Sequence, residues 1–419
     1  MDAVINPSII KGSVKSIPSK SYVHRLLICA AFSNAPTDIF CKSELSNDIE
    51  ATINCLCDLG CNIEIMADRI SVFPIDKPVN MPFLNCYESG STLRFLLPVV
   101  AALGVNPSFL GTGKLPYRPL EPLLSQMKKH GVTFYSETLP TTLTGKMTGG
   151  VFEIAGNVSS QFITGLLLAL PLLEGGGKIK LLSPLQSKSY VDITLEVMRD
   201  FGIYVKQTSD EYSVAPDSKY ISPKELTAPG DWSNAAFWLC NGALNETTIC
   251  TGLDFKSSQG DKAIVDILKN FGAKVEIGAN YLSVSPCGRT PLCIDASNIP
   301  DIIPVISVLL SVADGVSKIS NVDRLRLKEC DRVNAILELL ASLGCNAEYG
   351  NNEIIIFGQK KLCGGTVTGY NDHRIVMSAA IASTLCDGEV KITDALAINK
   401  SYPQFFEDFK RLGGNVNVF

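Results

Sequence analysis

The sequence predicts an α/β protein of two domains, each assembled from three strand-helix-strand-helix-strand units, with helices inside and sheets outside. Three observations predict it. A glycine ending an amphipathic run recurs about every seventy residues, and a polar start leading into an apolar run recurs in phase with it. The chain's 419 residues also exceed what one ordinary core holds.

The amphipathic runs are "INCLCDLGCNIEI", "LLSQMKKHGVTFY", "LEVMRDFGIYVKQ", "VDILKNFGAKVEI", "LELLASLGCNAEY" and "FEDFKRLGGNVNV". Their glycines, Gly60, Gly131, Gly202, Gly272, Gly344 and Gly413, are separated by 71, 71, 70, 72 and 69 residues. Each fits the left-handed position that ends a helix. The residues that follow alternate as a strand does.

The polar starts are Ser19-Lys20-Ser21, Ser89-Gly90-Ser91, Ser159-Ser160-Gln161, Asp231-Trp232-Ser233, Ile299-Pro300-Asp301 and Asn371-Asp372-His373. They lead into "LLICAAF", "RFLLPVVAAL", "FITGLLLALPLL", "AAFWLC", "IIPVISVLL" and "IVMSAAIAS". A helix apolar on all sides belongs in a core, and Ser, Asp and Asn before it are expected N-caps. Starting the first unit at the first buried helix gives a domain over 19–229. A second domain over 230–419 is then completed by the strand in 1–18.

Composition narrows the function. Hydrophobic residues at 46% and charged residues at 19% describe a packed globular chain. A net charge of -5 and a pI near 5.4 argue against nucleic-acid binding. The fourteen cysteines contain no Cys-x-x-Cys pair and are accompanied by only three histidines. Cys55, Cys57 and Cys61 lack the spacing and fourth ligand of a zinc site, so no metal is expected. They read as buried or half-buried thiols of a reducing cytoplasm. "MDAVINPSII" does not read as a signal peptide, and the apolar run over 162–173 is too short to span a bilayer.

Equivalent helices in a repeat point the same way. Three polar starts are therefore expected at one end of each domain, and two such ends facing one another would make a cleft of six helix N-termini, suited to anions. Lys20, Arg25, Arg94, Arg118, Arg332, Arg374 and Lys400 stand at or near these starts. Helix caps need no arginines, whereas a guanidinium grips phosphate or carboxylate through two parallel hydrogen bonds.

The motifs "PSKSYVHR", "ESGSTLRFLLP", "YRPLEPL", "SSQFITGLLLALP", "PGDWSNAAF", "RLRLKECDR", "GYNDHRIVM" and "NKSYPQFF" resemble, in order, those of the 5-enolpyruvylshikimate-3-phosphate (EPSP) synthase family. The resemblance implies a two-domain inside-out α/β barrel of six repeats, three per domain. It implies transfer of the enolpyruvyl group of phosphoenolpyruvate to the 5-hydroxyl of shikimate 3-phosphate with release of phosphate, on the route to chorismate and aromatic amino acids. No metal or organic cofactor is implied. The expected partners are the two small-molecule substrates, with no nucleic acid and no membrane, for a cytoplasmic monomer inhibited by glyphosate.

Carried over by the same resemblance, Lys20, Ser21 and Arg25 bind the shikimate carboxylate and hydroxyls. Ser159, Ser160 and Ser187 hold its phosphate, with Gln161 between the substrates, Tyr190 nearby and Lys328 on the same substrate. Lys20, Gly90, Arg118, Arg332, Arg374 and Lys400 surround phosphoenolpyruvate. Asp301 is implied as the base on the hydroxyl and Glu329 as the acid toward C3, with Lys20 or Lys400 assisting. By themselves, Asp301 would read as a helix cap and "RLRLKECDR" as a charged helix start.

His24 reads as support for a helix start, His130 as a helix-end charge, and His373 as either structural or a phosphate contact. Glu88-Ser89-Gly90-Ser91 replaces the Asn-Ala-Gly-Thr of many relatives, and Arg324 stands where many carry asparagine. Two rivals are weighed. A UDP-N-acetylglucosamine enolpyruvyl transferase would carry Lys-Asn near its N-terminus and a cysteine in the loop "TGKLPYRPLE", where this chain has Lys20-Ser21 and no cysteine. A non-catalytic polyanion-binding repeat protein leaves Asp301 and Glu329 unexplained.

Overall fold

Sequences that are apolar on every side form helices only where protein surrounds them. In the computed structural model, which describes residues 1–419, the apolar runs form the helices Lys20–Ala31, Gly90–Leu103, Ser160–Ala169, Trp232–Leu244, Ile303–Leu310 and His373–Ser383. Every residue of the last three is buried. Ser89, Ser159, Asp231 and Asp372 cap their helices by accepting from the backbone N–H of Thr92, Gln161, Asn234 and Arg374. Ser19 is an N-cap whose side chain makes no such bond.

The fifth start differs from the expectation. The helix begins at Ile303 with Ile302 as N-cap, so Asp301 is not a cap. Its carboxylate instead accepts from Lys328 and Arg332, cations that satisfy it more strongly than a backbone amide.

The amphipathic runs form Asn47–Asp58, Leu123–Lys129, Lys188–Asp200, Ile264–Phe271, Arg332–Ser342 and Phe405–Arg411. All six glycines that follow them have φ between 78° and 107°, where a Cβ is strained.

The fold is mixed α/β, with six four-stranded sheets that share one order. An edge strand pairs parallel to its neighbour, which pairs antiparallel to a third, which pairs antiparallel to a fourth. Gly150–Ile154, Gly177–Leu181, Glu211–Val214 and Val205–Gln207 show the pattern. In four of the six sheets the parallel pair flanks a buried helix, because parallel neighbours need a crossover; in the other two, Thr37–Phe40 pairs with Glu225–Thr227 and Gly12–Lys15 with Thr248–Thr251.

The chain forms two compact units. The N-terminal unit comprises Pro18–Ala228 with Ser257–Gln259; the C-terminal unit comprises Met1–Ile17, Pro229–Lys256 and Gly260–Phe419. Each has its own apolar core. Ala3–Asn6 lies between Val390–Ile392 and Asn415–Val418 in a sheet of the C-terminal unit. No helix is long and apolar enough to cross a membrane. All fourteen cysteines are free thiols. Cys55 and Cys61 are buried as expected, but Cys57 is exposed, because two residues along a helix turn a side chain to the opposite face.

Candidate active site

In the N-terminal unit, polar side chains tie three helix starts together. His24 Nδ1 lies 2.7 Å from Thr52 Oγ1, which lies 2.7 Å from Thr92 Oγ1, and Thr92 bonds in turn to Ser89. Burial, with Lys20 and Arg25 nearby, holds the His24 imidazole well below its ordinary pKa and therefore neutral. Lys20 Nζ donates to Asp48 Oδ2 at 2.6 Å. Arg25, 2% exposed, donates through Nε to Thr194 Oγ1, through Nη1 to the Ser21 carbonyl, and through Nη2 to Thr164 Oγ1 and the Tyr190 carbonyl. Burial lowers its pKa to about 10, and the Phe95 ring lies 4.8 Å from its guanidinium carbon.

The second and third starts meet at Gln161. Its Nε2 donates to Ser91 Oγ at 3.0 Å, and its Oε1 accepts from Arg94 Nη1 at 3.1 Å. The two helices approach closely because Gly165 faces the Arg94 carbonyl, where a Cβ would stand 2.2 Å from the oxygen. Gly90 has a different neighbourhood. A Cβ there would stand 2.6 Å from both Arg118 Nη1 and Arg94 Nη1. Arg118 Nε is buried without a hydrogen-bond partner. Ser160 is buried in the first turn of its helix, and Ser187 precedes Lys188–Asp200 in a left-handed conformation with φ 54°.

The C-terminal unit gathers its charges around Arg332, which is 1% exposed. Arg332 donates to Asp372 Oδ2 at 2.8 Å, Asp301 Oδ1 at 3.0 Å and Glu329 Oε2 at 2.8 Å. Lys328 Nζ reaches Asp301 Oδ1 at 3.3 Å, and Arg374 Nη2 stands 3.6 Å from Asp301 Oδ2. Burial opposes the charge on Asp301, but Lys328, Arg374 and Arg332 hold its carboxyl well below the ordinary carboxylate value. Burial also lowers the Lys328 pKa, with Arg332 and Arg324 adding to the effect and Asp301 opposing it. Arg374 Nη1 donates to Asn234 Oδ1 at 3.1 Å, while its Nε is buried and unpartnered. Lys400 Nζ donates at 2.5 Å to the carbonyl of Asn371, the residue before Asp372.

The expected site residues thus fall into two sets. Lys20, Ser21, Arg25, Gly90, Arg118, Ser159, Ser160, Gln161, Ser187 and Tyr190 belong to the N-terminal unit, and Asp301, Lys328, Glu329, Arg332, Arg374 and Lys400 to the C-terminal unit. Hydrogen bonds and ion pairs link Asp301, Lys328, Glu329, Arg332 and Arg374 directly. His373 is buried beside Asp372. His130 lies apart, its ring nitrogens 3.1 Å from the carbonyls of Thr148 and Val151. Glu88 packs against Gly113, where a Cβ would meet its carboxylate at 2.5 Å.

Sequence reasoning did not assign Asp48, Thr52, Thr164, Thr194, Asn234 or Asp261. The sequence carried one signal for the two acids among them, Asp48 and Asp261: a net-acidic chain that concentrates cations must also supply counter-charges.

A family model described as EPSP synthase (3-phosphoshikimate 1-carboxyvinyltransferase) matches residues 4–409. The chain belongs to the EPSP synthase family. Among curated relatives, the 3-phosphoshikimate 1-carboxyvinyltransferase of Clostridium kluyveri is 42% identical over 416 residues, covering 99% of this chain and 97% of that one. The protein of the same name from Clostridioides difficile is 39% identical over 427 residues, covering 99% and 98%. Solved structures extend the likeness in fold. EPSP synthase from Acinetobacter baumannii matches with a TM-score of 0.82 at 22% identity, covering 100% of this chain and 99% of that one. The enolpyruvyl transferase NikO from Streptomyces tendae matches with 0.78 at 17% identity, covering 99% and 98%. EPSP synthase family membership thus rests on sequence over nearly the whole chain.

Proposed function

We propose that this protein transfers the enolpyruvyl group of phosphoenolpyruvate to the 5-hydroxyl of shikimate 3-phosphate and releases phosphate. The observation that carries the reading is the C-terminal cluster of this family member. Two carboxylates, Asp301 and Glu329, share one buried guanidinium, while Lys328 and Arg374 stand against Asp301. Asp301 takes the hydroxyl proton as the oxygen bonds to C2, and Glu329, protonated for this step, gives its proton to C3. Loss of a C3 proton and of phosphate then restores the double bond. Lys20 or Lys400 assists the proton transfers.

Asp301 is a weak base while three cations hold it. Anionic substrates that engage Lys328 and Arg374 weaken that hold and raise its basicity when it is needed. Arg118 and Arg374, each with a buried unpartnered Nε, grip phosphoenolpyruvate together with Lys20, Gln161, Arg332 and Lys400. Shikimate 3-phosphate is held by Lys20, Ser21, Arg25, Ser159, Ser160, Gln161, Ser187, Tyr190, Asp301 and Lys328. The fold is an inside-out barrel of six repeats in two domains, 19–229 and 230–419 with 1–18, acting as a monomer in the cytoplasm. Mixing phosphoenolpyruvate with shikimate 3-phosphate should release phosphate in proportion to enzyme, and UDP-N-acetylglucosamine should not replace the second substrate. Release with the nucleotide sugar, or with neither acceptor, contradicts the reading.

Gly90→Ala tests the phosphoenolpyruvate side. The added methyl displaces the tip of Arg118 and presses on Arg94, which is buried and bonded to Gln161 and the Pro119 carbonyl, so thermal stability should fall only modestly. The KM for phosphoenolpyruvate and the inhibition constant of glyphosate should both rise on the order of tenfold, about 1.4 kcal/mol. Unchanged constants would show that Gly90 does not border the anion.

A further inference from the structure

Asp261 is a buried carboxyl to which the reaction above gives no part. It lies in the short helical turn Gly260–Ala263 and is 3% exposed. Ser233, in the first turn of Trp232–Leu244, donates its hydroxyl to Asp261 Oδ2 at 2.5 Å, while Oδ1 is buried without a partner. Three charged groups on neighbouring elements act on it: Asp231, which caps Trp232–Leu244, Asp301, which precedes Ile303–Leu310, and Arg374 in the first turn of His373–Ser383. Arg374 is the cation among them: its Nη1 donates to Asn234 Oδ1 at 3.1 Å, one residue along from the Ser233 that holds Asp261, and its Nη2 stands 3.6 Å from Asp301.

Two carboxyls near one guanidinium do not ionise alike. Asp301 keeps its charge because Lys328 and Arg332 serve it as well. Asp261 has no such support. Burial, the Asp301 charge and Asp231 raise its pKa to about 7, against the Ser233 hydrogen bond and Arg374. Neighbouring acids driven apart in this way divide their roles, one charged and one neutral.

We propose that Asp261 is a positioning residue that must be neutral for an anionic substrate to sit against Arg374. Ionised, it competes with that substrate for the same positive charge; neutral, it leaves Arg374 to the substrate and keeps Ser233 in place. This rests on the assignment of Arg374 to phosphoenolpyruvate. An oxyanion at Arg374 removes the compensating charge from Asp261 and adds a like charge, so binding takes up a proton at Asp261. By linkage, raising the pH must weaken binding.

The test is the KM for phosphoenolpyruvate at saturating shikimate 3-phosphate, measured from about pH 6 to about pH 9. In the parent protein KM should bend upward near pH 7 and approach a tenfold rise per pH unit. Asp261→Asn, which keeps an acceptor for Ser233 but cannot ionise, should lose that bend. Ser233→Ala removes a bond that favours the charged form, so its bend should move to higher pH. Calorimetric titration of phosphoenolpyruvate alone, in buffers of different ionisation enthalpy, should show greater proton uptake by the parent than by Asp261→Asn. Ionisation of the ligand itself contributes equally to both. Identical bends and identical proton uptake in parent and Asp261→Asn overturn the proposal. Should Asp261→Asn not fold, an unmoved bend in Ser233→Ala overturns it instead. Absence of phosphate release by the parent overturns the assigned reaction, and the calorimetric comparison still decides the role of Asp261.

Discussion

Asp301→Asn lowers kcat by about 10²–10⁴-fold, the range of a lost general base, while the KM values of both substrates stay within about threefold. The amide matches the carboxylate in size and can still accept from Lys328 and Arg332, so the cluster keeps its shape. It cannot take the proton from the hydroxyl. It also binds Lys328 and Arg374 less tightly than the carboxylate does at 3.3 and 3.6 Å, which leaves both more available to anions. Loss of kcat with retained or tighter substrate binding is therefore the expected pair of results, read by phosphate release and by direct titration. Near-parental kcat would remove Asp301 from proton transfer.

Asp372→Ala destabilises the protein by about 3–5 kcal/mol, the usual effect of removing one partner from a buried ion pair. Asp372 is 0% exposed and meets Arg332 through two hydrogen bonds, at 2.8 and 3.3 Å. It also caps His373–Ser383 at the Arg374 N–H, 2.8 Å away. Alanine leaves a buried guanidinium short of a counter-charge and a helix start without its cap. Trp232 and Trp238, the two tryptophans of the chain, both lie in the C-terminal unit, so urea unfolding followed by tryptophan fluorescence reads the affected part. Asp372→Asn, which keeps the cap but loses the charge, should fall between parent and Asp372→Ala. An unfolding curve superimposable on the parent's would show that Arg332 is satisfied without Asp372.

The places where helices end were legible in the sequence because one residue decides each of them. Gly60, Gly131, Gly202, Gly272, Gly344 and Gly413 all adopt a conformation that side chains disfavour. Buried helices were legible because apolar residues on every face leave no solvent side. Strand order was not, since pairing depends on which segments meet in space. The cations of the candidate site stood out by residue type. Their counter-charges did not: Asp48 reads as an ordinary first-turn acid, and Asp301 reads as a cap until Arg332, thirty-one positions on, claims it. Asp261 is invisible to sequence reasoning for a related reason. Its character comes from burial and from neighbours on three other elements, and neither is a property of local sequence.

Ala3–Asn6 fills a central place in its sheet, between strands near the far end of the chain. During synthesis Ala3–Asn6 leaves the ribosome long before its partners exist. At ~5–20 residues per second the wait is roughly twenty to eighty seconds. Pro18–Ala228, by contrast, emerges as one stretch that lacks only Ser257–Gln259 of its unit. The nascent chain can therefore fold Pro18–Ala228 first while Ala3–Asn6 stays unpaired, a natural handle for a chaperone.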